Sequence, residues 1–207
     1  MKLIVRFLVL VVLILFFVPL KQTFGGTKPV QVGRKVEDFS LKNVDDKIIS
    51  LSNYPLAKGF VIIFTCNHCP FANLYPSRFN ELALEYGIKN VPLIAINGMD
   101  SVTYEDETIS AMKKKAEENK FVFPYLQDAA QTVTRQFQAE RTPQAFIIWK
   151  ENNDWLIKYT GAIDDNGSEP DKAKNKYIKK ALDELLSNKP VLVSETASIG
   201  CAIYLRK

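Results

Sequence analysis

Apolar residues in this chain fall into blocks whose spacing changes from place to place, and the spacing predicts the elements. Phe60-Val61-Ile62-Ile63-Phe64, within Gly59–Thr65, is apolar on both faces, as a strand covered on both sides of a sheet must be. Val91–Ile96 predicts a second buried strand, with Pro92 at its beginning because proline gives the ladder no N–H. Between them Phe71, Tyr75, Phe79, Leu82 and Tyr86 recur at helical spacing, and Pro76 predicts a kink. A second helix is expected from about Tyr104 to Asn119, with Ile109, Met112 and Ala116 on one face. Asp128 is placed to cap a third, which carries Ala130, Val133 and Phe137. Ala145–Trp149 and Trp155–Tyr159, joined across Asn152-Asn153, read as a hairpin. Tyr177, Ile178, Ala181, Leu182, Leu185 and Leu186 make the stripe of a last helix. An N-terminal hairpin, Phe39–Leu51 around Asp45-Asp46-Lys47, precedes all of these. The order after it, β-α-β-α-α-β-β-α, predicts one α/β domain with a mixed central sheet and helices on both faces.

The two ends fall outside that pattern. Lys2 and Arg6 precede Phe7–Leu20, an uncharged run that is apolar apart from Pro19. Residues 1–25 therefore read as a secretory signal, or as a membrane anchor through residues 3–20. The run is short against the roughly 20 apolar residues a spanning helix needs. Residues 26–31 read as a linker, 32–190 as the domain, and 191–207 as a tail packed on it. Val191, Val193, Ile199 and Ile203 are the tail's expected anchors. Either reading of the N-terminus exports the chain to a periplasmic or other extracytoplasmic place, soluble after cleavage or held at the inner membrane. Disulfide chemistry is permitted there.

Composition narrows the classes. With 47% apolar residues the chain is not disordered. The net charge of +4 shrinks to 24 basic against 23 acidic residues once Lys2, Arg6 and Lys21 are set aside, so nothing argues for nucleic acid as a partner. Three cysteines are too few for a disulfide-stapled scaffold.

The chemistry sits in Thr65-Cys66-Asn67-His68-Cys69-Pro70, where a buried strand ends and a helix is expected to begin. Two thiols at a helix start can close a small disulfide ring, and the helix dipole favours the thiolate of the first, by about one pKa unit. His68, when protonated, adds to that effect, so Asn67 and His68 are the tuning positions. A zinc site needs four ligands, and Cys66, Cys69 and Cys201 supply three with His68 badly placed to join them. Haem attachment needs histidine directly after the second cysteine, where Pro70 stands. The second element is Arg141-Thr142-Pro143-Gln144, immediately before a strand.

Together these motifs resemble the thioredoxin fold, in which a Thr–cis-Pro loop faces the Cys-x-x-Cys. The likeness extends to the peroxiredoxin-like branch of that superfamily. It is carried by Phe64–Phe71, Ala95-Ile96-Asn97, Phe123–Asp128, Arg141-Thr142-Pro143, Gly161–Asn166 and a tail, Glu195–Ile203. The resemblance implies that Cys66 and Cys69 are catalytic, with Cys66 nearer the surface as nucleophile and Cys69 a turn deeper. It also implies that Thr142 and Pro143 dock the substrate. Two departures matter. The buried acid that thioredoxins carry six residues before the first cysteine is here Phe60. The peroxiredoxin Pro-x-x-x-Thr-x-x-Cys loop is absent too, since the Thr and Pro positions are Cys66 and Ile62 counting from Cys69, or Ile63 and Gly59 counting from Cys66.

The leading expectation is an exported thiol–disulfide oxidoreductase acting on protein or small-molecule thiols and disulfides, with a separate electron donor or acceptor. It needs no metal and no cofactor beyond its own cysteine disulfide. A thiol peroxidase and a copper-binding protein are the alternatives. Cys201 is either a third redox thiol or a small apolar residue under the tail, and the second is favoured because Cys66 and Cys69 already complete a cycle.

Overall fold

The computed structural model describes Val32–Arg206; the expected signal or anchor (1–25) and linker (26–31) lie outside the described residues. Ten strands form. They are β1 (Lys35–Val36), β2 (Ser40–Asn43), β3 (Ile48–Ser50), β4 (Gly59–Thr65), β5 (Leu93–Asn97), β6 (Tyr125–Gln127), β7 (Arg141–Thr142), β8 (Gln144–Glu151), β9 (Asp154–Gly161) and β10 (Cys201–Ala202). Among the described residues four α-helices join them: α1 (Pro76–Gly87), α2 (Ile109–Glu118), α3 (Thr132–Phe137) and α4 (Tyr177–Leu186). Eight strands make one mixed sheet in the order β1-β9-β8-β4-β5-β6-β2-β3, and β10 pairs with β7 alone. This is the thioredoxin-like fold with an N-terminal hairpin extension.

The central strand decides the layering. Every residue of β4 is buried, and its side chains alternate between two cores. Phe60, Ile62 and Phe64 face one core with Val133 and Phe137 of α3. Val61 and Ile63 face the other with Phe79, Met112 and Leu182 from α1, α2 and α4. Phe64 packs against Phe137 and Phe146 at centroid distances of 5.5 and 5.7 Å, directly before the cysteine motif. Each such aromatic pair adds about 0.5–1.5 kcal/mol beyond area burial, so the strand end is a rigid platform.

The helices depart from the periodicity in two places, and both bear on the site. No regular helix begins at the cysteine pair: a short 3₁₀ turn covers Ala72–Leu74, and α1 starts only at Pro76. Pro76 opens the helix instead of kinking it, because its missing N–H costs nothing at the first position. Pro70 likewise has no N–H to give the carbonyl of Cys66, four residues back. The expected helix from Tyr104 is also split. Glu105–Glu107 is a 3₁₀ turn, Thr108 is extended at φ −70° and ψ 155°, and its hydroxyl caps α2 at Ala111 N. The short strand β6 was invisible in the pattern, having only three residues.

The tail runs back across the domain. Thr160 N donates to Ser194 O, Thr196 N to Thr160 O, and Ile203 N to Glu140 O. Val193 and Ile199 are exposed, whereas Ile203 is buried and Val191 packs half-buried against the second core; between these two anchors backbone pairing holds the tail. Among the described residues, no helix is long and apolar enough to cross a membrane.

Candidate active site

Cys66 and Cys69 follow the end of β4, and both are fully buried. They converge on one residue. Cys66 Sγ lies 3.0 Å from the Thr142 hydroxyl, and Cys69 Sγ donates to the Thr142 carbonyl at 3.1 Å. The Thr142–Pro143 peptide bond is cis. Strand β10 sits on the other side of that loop, with Cys201 paired to Thr142 and Ala202 to Arg141. Cys201 is half-buried, and its thiol and N–H both interact with the Cys69 sulfur. The structure thus brings together all three cysteines and the Thr142-Pro143 loop.

The turn between the cysteines is organised by a residue from elsewhere. Glu107 is fully buried. Its carboxylate accepts from Asn67 N at 3.0 and 3.1 Å, His68 N at 3.1 Å, His68 Nδ1 at 2.5 Å and Asn97 Nδ2 at 2.6 Å. His68 therefore turns to Glu107, stacked on Tyr104 at 5.2 Å, instead of pairing with a thiolate as expected. Asn67 is pinned as well, its Nδ2 donating to Asp106 O and its Oδ1 accepting from the Tyr125 hydroxyl. The site does hold a buried carboxylate, Glu107, but it contacts the turn between the cysteines and lies beside Cys66, so it does not replace the acid absent at Phe60. Opposite it, the buried Lys115 ammonium donates to the Cys66 carbonyl and to Asn73 Oδ1, both at 2.6 Å. Lys115 gives the Cys66 carbonyl the partner that Pro70 denies it.

These neighbours invert the expected order of thiol acidity. Burial first, and then the negative charge of Glu107, push the Cys66 thiol up to about 12 in spite of the Thr142 hydroxyl and the Cys69 N–H. Burial also disfavours the Cys69 thiolate. Donors from the Cys201 thiol, Ala72 N–H, Cys201 N–H and Thr142 more than offset it and hold Cys69 below the ordinary cysteine value. Burial and the adjacent Cys69 push Cys201 up to about 11. The expectation that Cys66 lies nearer the surface than Cys69 is not met, since both are fully buried; no regular helix starts at Cys66, and the Glu107 carboxylate occupies the N–H groups of Asn67 and His68 that follow it.

Cys66 Sγ, a His68 ring nitrogen and a Glu107 oxygen lie within 4.8 Å of one another, a trio of metal-ligating types. His68 is thus better placed than its sequence position implied. The Glu107 carboxylate is nevertheless taken up by four N–H donors, which a metal would have to displace.

Next to Pro143 lies a groove of about 410 Å³ between Phe71, Leu74, Ile163 and the tail residues Thr196 and Ile199. Its floor is braced by Arg78, buried with Asp164 at 2.6 Å and donating to the carbonyls of Leu74, Asn166 and Gly167. Sequence reasoning missed Glu107 and Lys115, and held Asn97 and Tyr125 only as parts of shared motifs, with no role at the site. Glu107 stands in an acidic run, Glu105-Asp106-Glu107, in which nothing marks the third acid as the buried one.

Comparison with known proteins bears on the family and the fold. Residues 32–155 match the model of the AhpC/TSA family. A solved structure of an uncharacterized conserved protein from Geobacillus kaustophilus is 34% identical, over 86% of this chain and 94% of that one, with a TM-score of 0.78. A hypothetical protein from Sinorhizobium meliloti is 26% identical over 86% of this chain and 96% of its own, with a TM-score of 0.76. A putative thiol:disulfide interchange protein DsbE from Chlorobium tepidum shares the fold at 17% identity, over 77% and 97% of the two chains, with a TM-score of 0.56. No curated protein matches the sequence.

Proposed function

The chain belongs to the AhpC/TSA family, and from that premise we propose that it is an exported thiol–disulfide oxidoreductase working through Cys66 and Cys69. The observation that carries this reading is the convergence of both sulfurs on Thr142, beside Pro143 and an open groove. Cys69, the more acidic thiol, attacks one sulfur of a substrate disulfide. A Cys69–substrate disulfide forms and one substrate thiolate leaves. Cys66 then gives its proton to a departing thiolate and attacks the Cys69 sulfur, releasing the second substrate thiol and closing a Cys66–Cys69 disulfide. A separate thiol donor returns the pair to the reduced state.

The groove and the Thr142-Pro143 loop are where an extended substrate segment docks. Export is supported by the charged start and apolar run of residues 1–25. The peroxidase reading is weaker, since neither cysteine has the Pro-x-x-x-Thr-x-x-Cys loop. Purified protein, given insulin or a mixed glutathione disulfide and a thiol donor, is expected to reduce the disulfide and to leave hydrogen peroxide largely unconsumed. Peroxide turnover without disulfide reduction overturns the proposal.

A further inference from the structure

We infer that Cys201 is a third redox thiol of this site, forming a disulfide with Cys69 that carries the exchange from the buried pair to the tail. The inference rests on the dithiol–disulfide reading above and extends it to a residue that the cycle there does not use.

Two independent features place Cys201. The first is backbone register: β10 pairs antiparallel with β7, and Cys201 stands opposite Thr142, the residue on which both other sulfurs converge. Gly200 makes this approach possible. A Cβ there would come within 2.1 Å of the Thr142 carbonyl oxygen, so only glycine lets the tail lie so close to the loop. The second is the side chain itself, which packs against the cluster that contains Cys66 and Cys69 and lies near enough to Cys69 for each thiol to perturb the other. A cysteine serving merely as a small apolar filler has no need to face another thiol.

Exposure supplies the reason for a third thiol. Cys66 and Cys69 are fully buried, so the external thiol that returns the pair to the reduced state meets less hindrance at a sulfur nearer solvent. Cys201 is half-buried and borders solvent. The step balances without an added oxidant. The Cys201 thiolate attacks the Cys69 sulfur of the Cys66–Cys69 disulfide; the Cys69–Cys201 bond forms as the Cys66–Cys69 bond breaks. Cys66 leaves as a thiolate and takes the proton Cys201 released. An external thiol then attacks the Cys201 sulfur and frees Cys69 as a thiolate, which takes up the external thiol's proton. A second external thiol displaces the first and leaves Cys201 reduced, so the two external thiols end as one disulfide.

The test is disulfide mapping of the purified chain equilibrated across a series of glutathione potentials, acid-quenched, alkylated and digested without reduction. A Cys69–Cys201 peptide is expected alongside Cys66–Cys69 in the wild-type chain. In Cys66→Ser, both remaining thiols are expected to be lost together on oxidation, with no glutathione retained on Cys69. Cys66–Cys69 as the sole disulfide at every potential in the wild type overturns the inference. So does a folded Cys66→Ser chain that holds glutathione on Cys69 while Cys201 stays reduced. If Cys66→Ser does not fold, the wild-type map decides alone. A chain that forms the Cys69–Cys201 bond but reduces no substrate disulfide refutes the proposed function and leaves this inference standing.

Discussion

The ring of His68 and the carboxylate of Glu107 meet at 2.5 Å, Nδ1 to Oε1, across 39 residues of sequence. That contact fixes the turn between the two cysteines from outside. It also sets a negative charge beside Cys66, which adds to the burial that disfavours the thiolate of the first cysteine.

Replacing the carboxylate therefore has two expected effects. Glu107→Gln leaves one acceptor facing N–H groups that need two and turns an amide donor toward the others. A stability loss of about 3 kcal/mol is expected, since bonds to a charged group are worth roughly 1.5–3 kcal/mol each. Denaturant titration measures it. In the same variant, the Cys66 thiol becomes more acidic as the repelling charge is removed, which a pH series of thiolate absorbance reads. A Cys66 that titrates unchanged removes Glu107 from the electrostatics of the site.

Alkylation order is the second prediction. A thiol is modified as its thiolate, so the rate rises with pH up to the pKa. Cys69, held below the ordinary 9.0, is expected to react first as pH increases, and Cys66, pushed up to about 12, last. The linked effect on stability has a definite sign. A thiol whose folded pKa is raised binds its proton more tightly in the fold. Its contribution is full below about pH 9 and is lost as pH climbs from there toward 12. Cys66→Ala should flatten that part of the alkaline stability curve. Iodoacetamide labelling that marks Cys66 before Cys69 contradicts the assignment.

The buried pair of Arg78 and Asp164 gives a third. Both side chains are under 10% exposed, at 8% and 4%. Asp164→Ala leaves a guanidinium charge uncompensated in the interior, and breaking a buried pair in this way costs about 3–5 kcal/mol. Arg78 also holds the carbonyls of Leu74 and Gly167 at the groove. The variant should accordingly lose affinity for peptide disulfides more than for small ones, read as KM for each. Equal loss for both separates the groove from substrate docking.

Gly161→Ala is the fourth. Gly161 has φ +144°, and a Cβ there would come within 2.2 Å of the Thr196 hydroxyl. The substitution strains the end of β9 and displaces the segment that leads into β10. Limited proteolysis of the tail should accelerate while the eight-stranded sheet keeps its protection in hydrogen exchange. A tail as resistant as the wild type's means that Thr160 and Thr196 do not hold it.

The elements written in periodicity were legible in the sequence. The last helix, the Asn152-Asn153 hairpin and β4 follow their patterns because one face, or both, is buried over many residues. Asp128 does accept from Thr132 N and Thr134 N in the first turn of α3, but the N-cap position is Gln131 and the helix starts too late to carry Ala130. The site's residues were legible as a motif, but their roles were not. Pro70 and Pro76 both lie in a stretch that reads as one helix, yet the turn they leave between Cys66 and α1 depends on Lys115 and Glu107. Those partners come from about forty residues away, and a pattern of apolar spacing carries no record of a buried charge. The length of β6 and the pairing of β10 were hidden for a related reason: two or three residues are too few to show alternation.

The pairing of β10 with β7 also orders events in time. Cys66 and Cys69 leave the ribosome, and any export channel, more than 130 residues ahead of Cys201. Until then the Thr142-Pro143 loop has no strand across it, and Cys69 lacks two of the donors that make it acidic. The set of donors that favours the Cys69 thiolate is thus complete only when the last segment has paired.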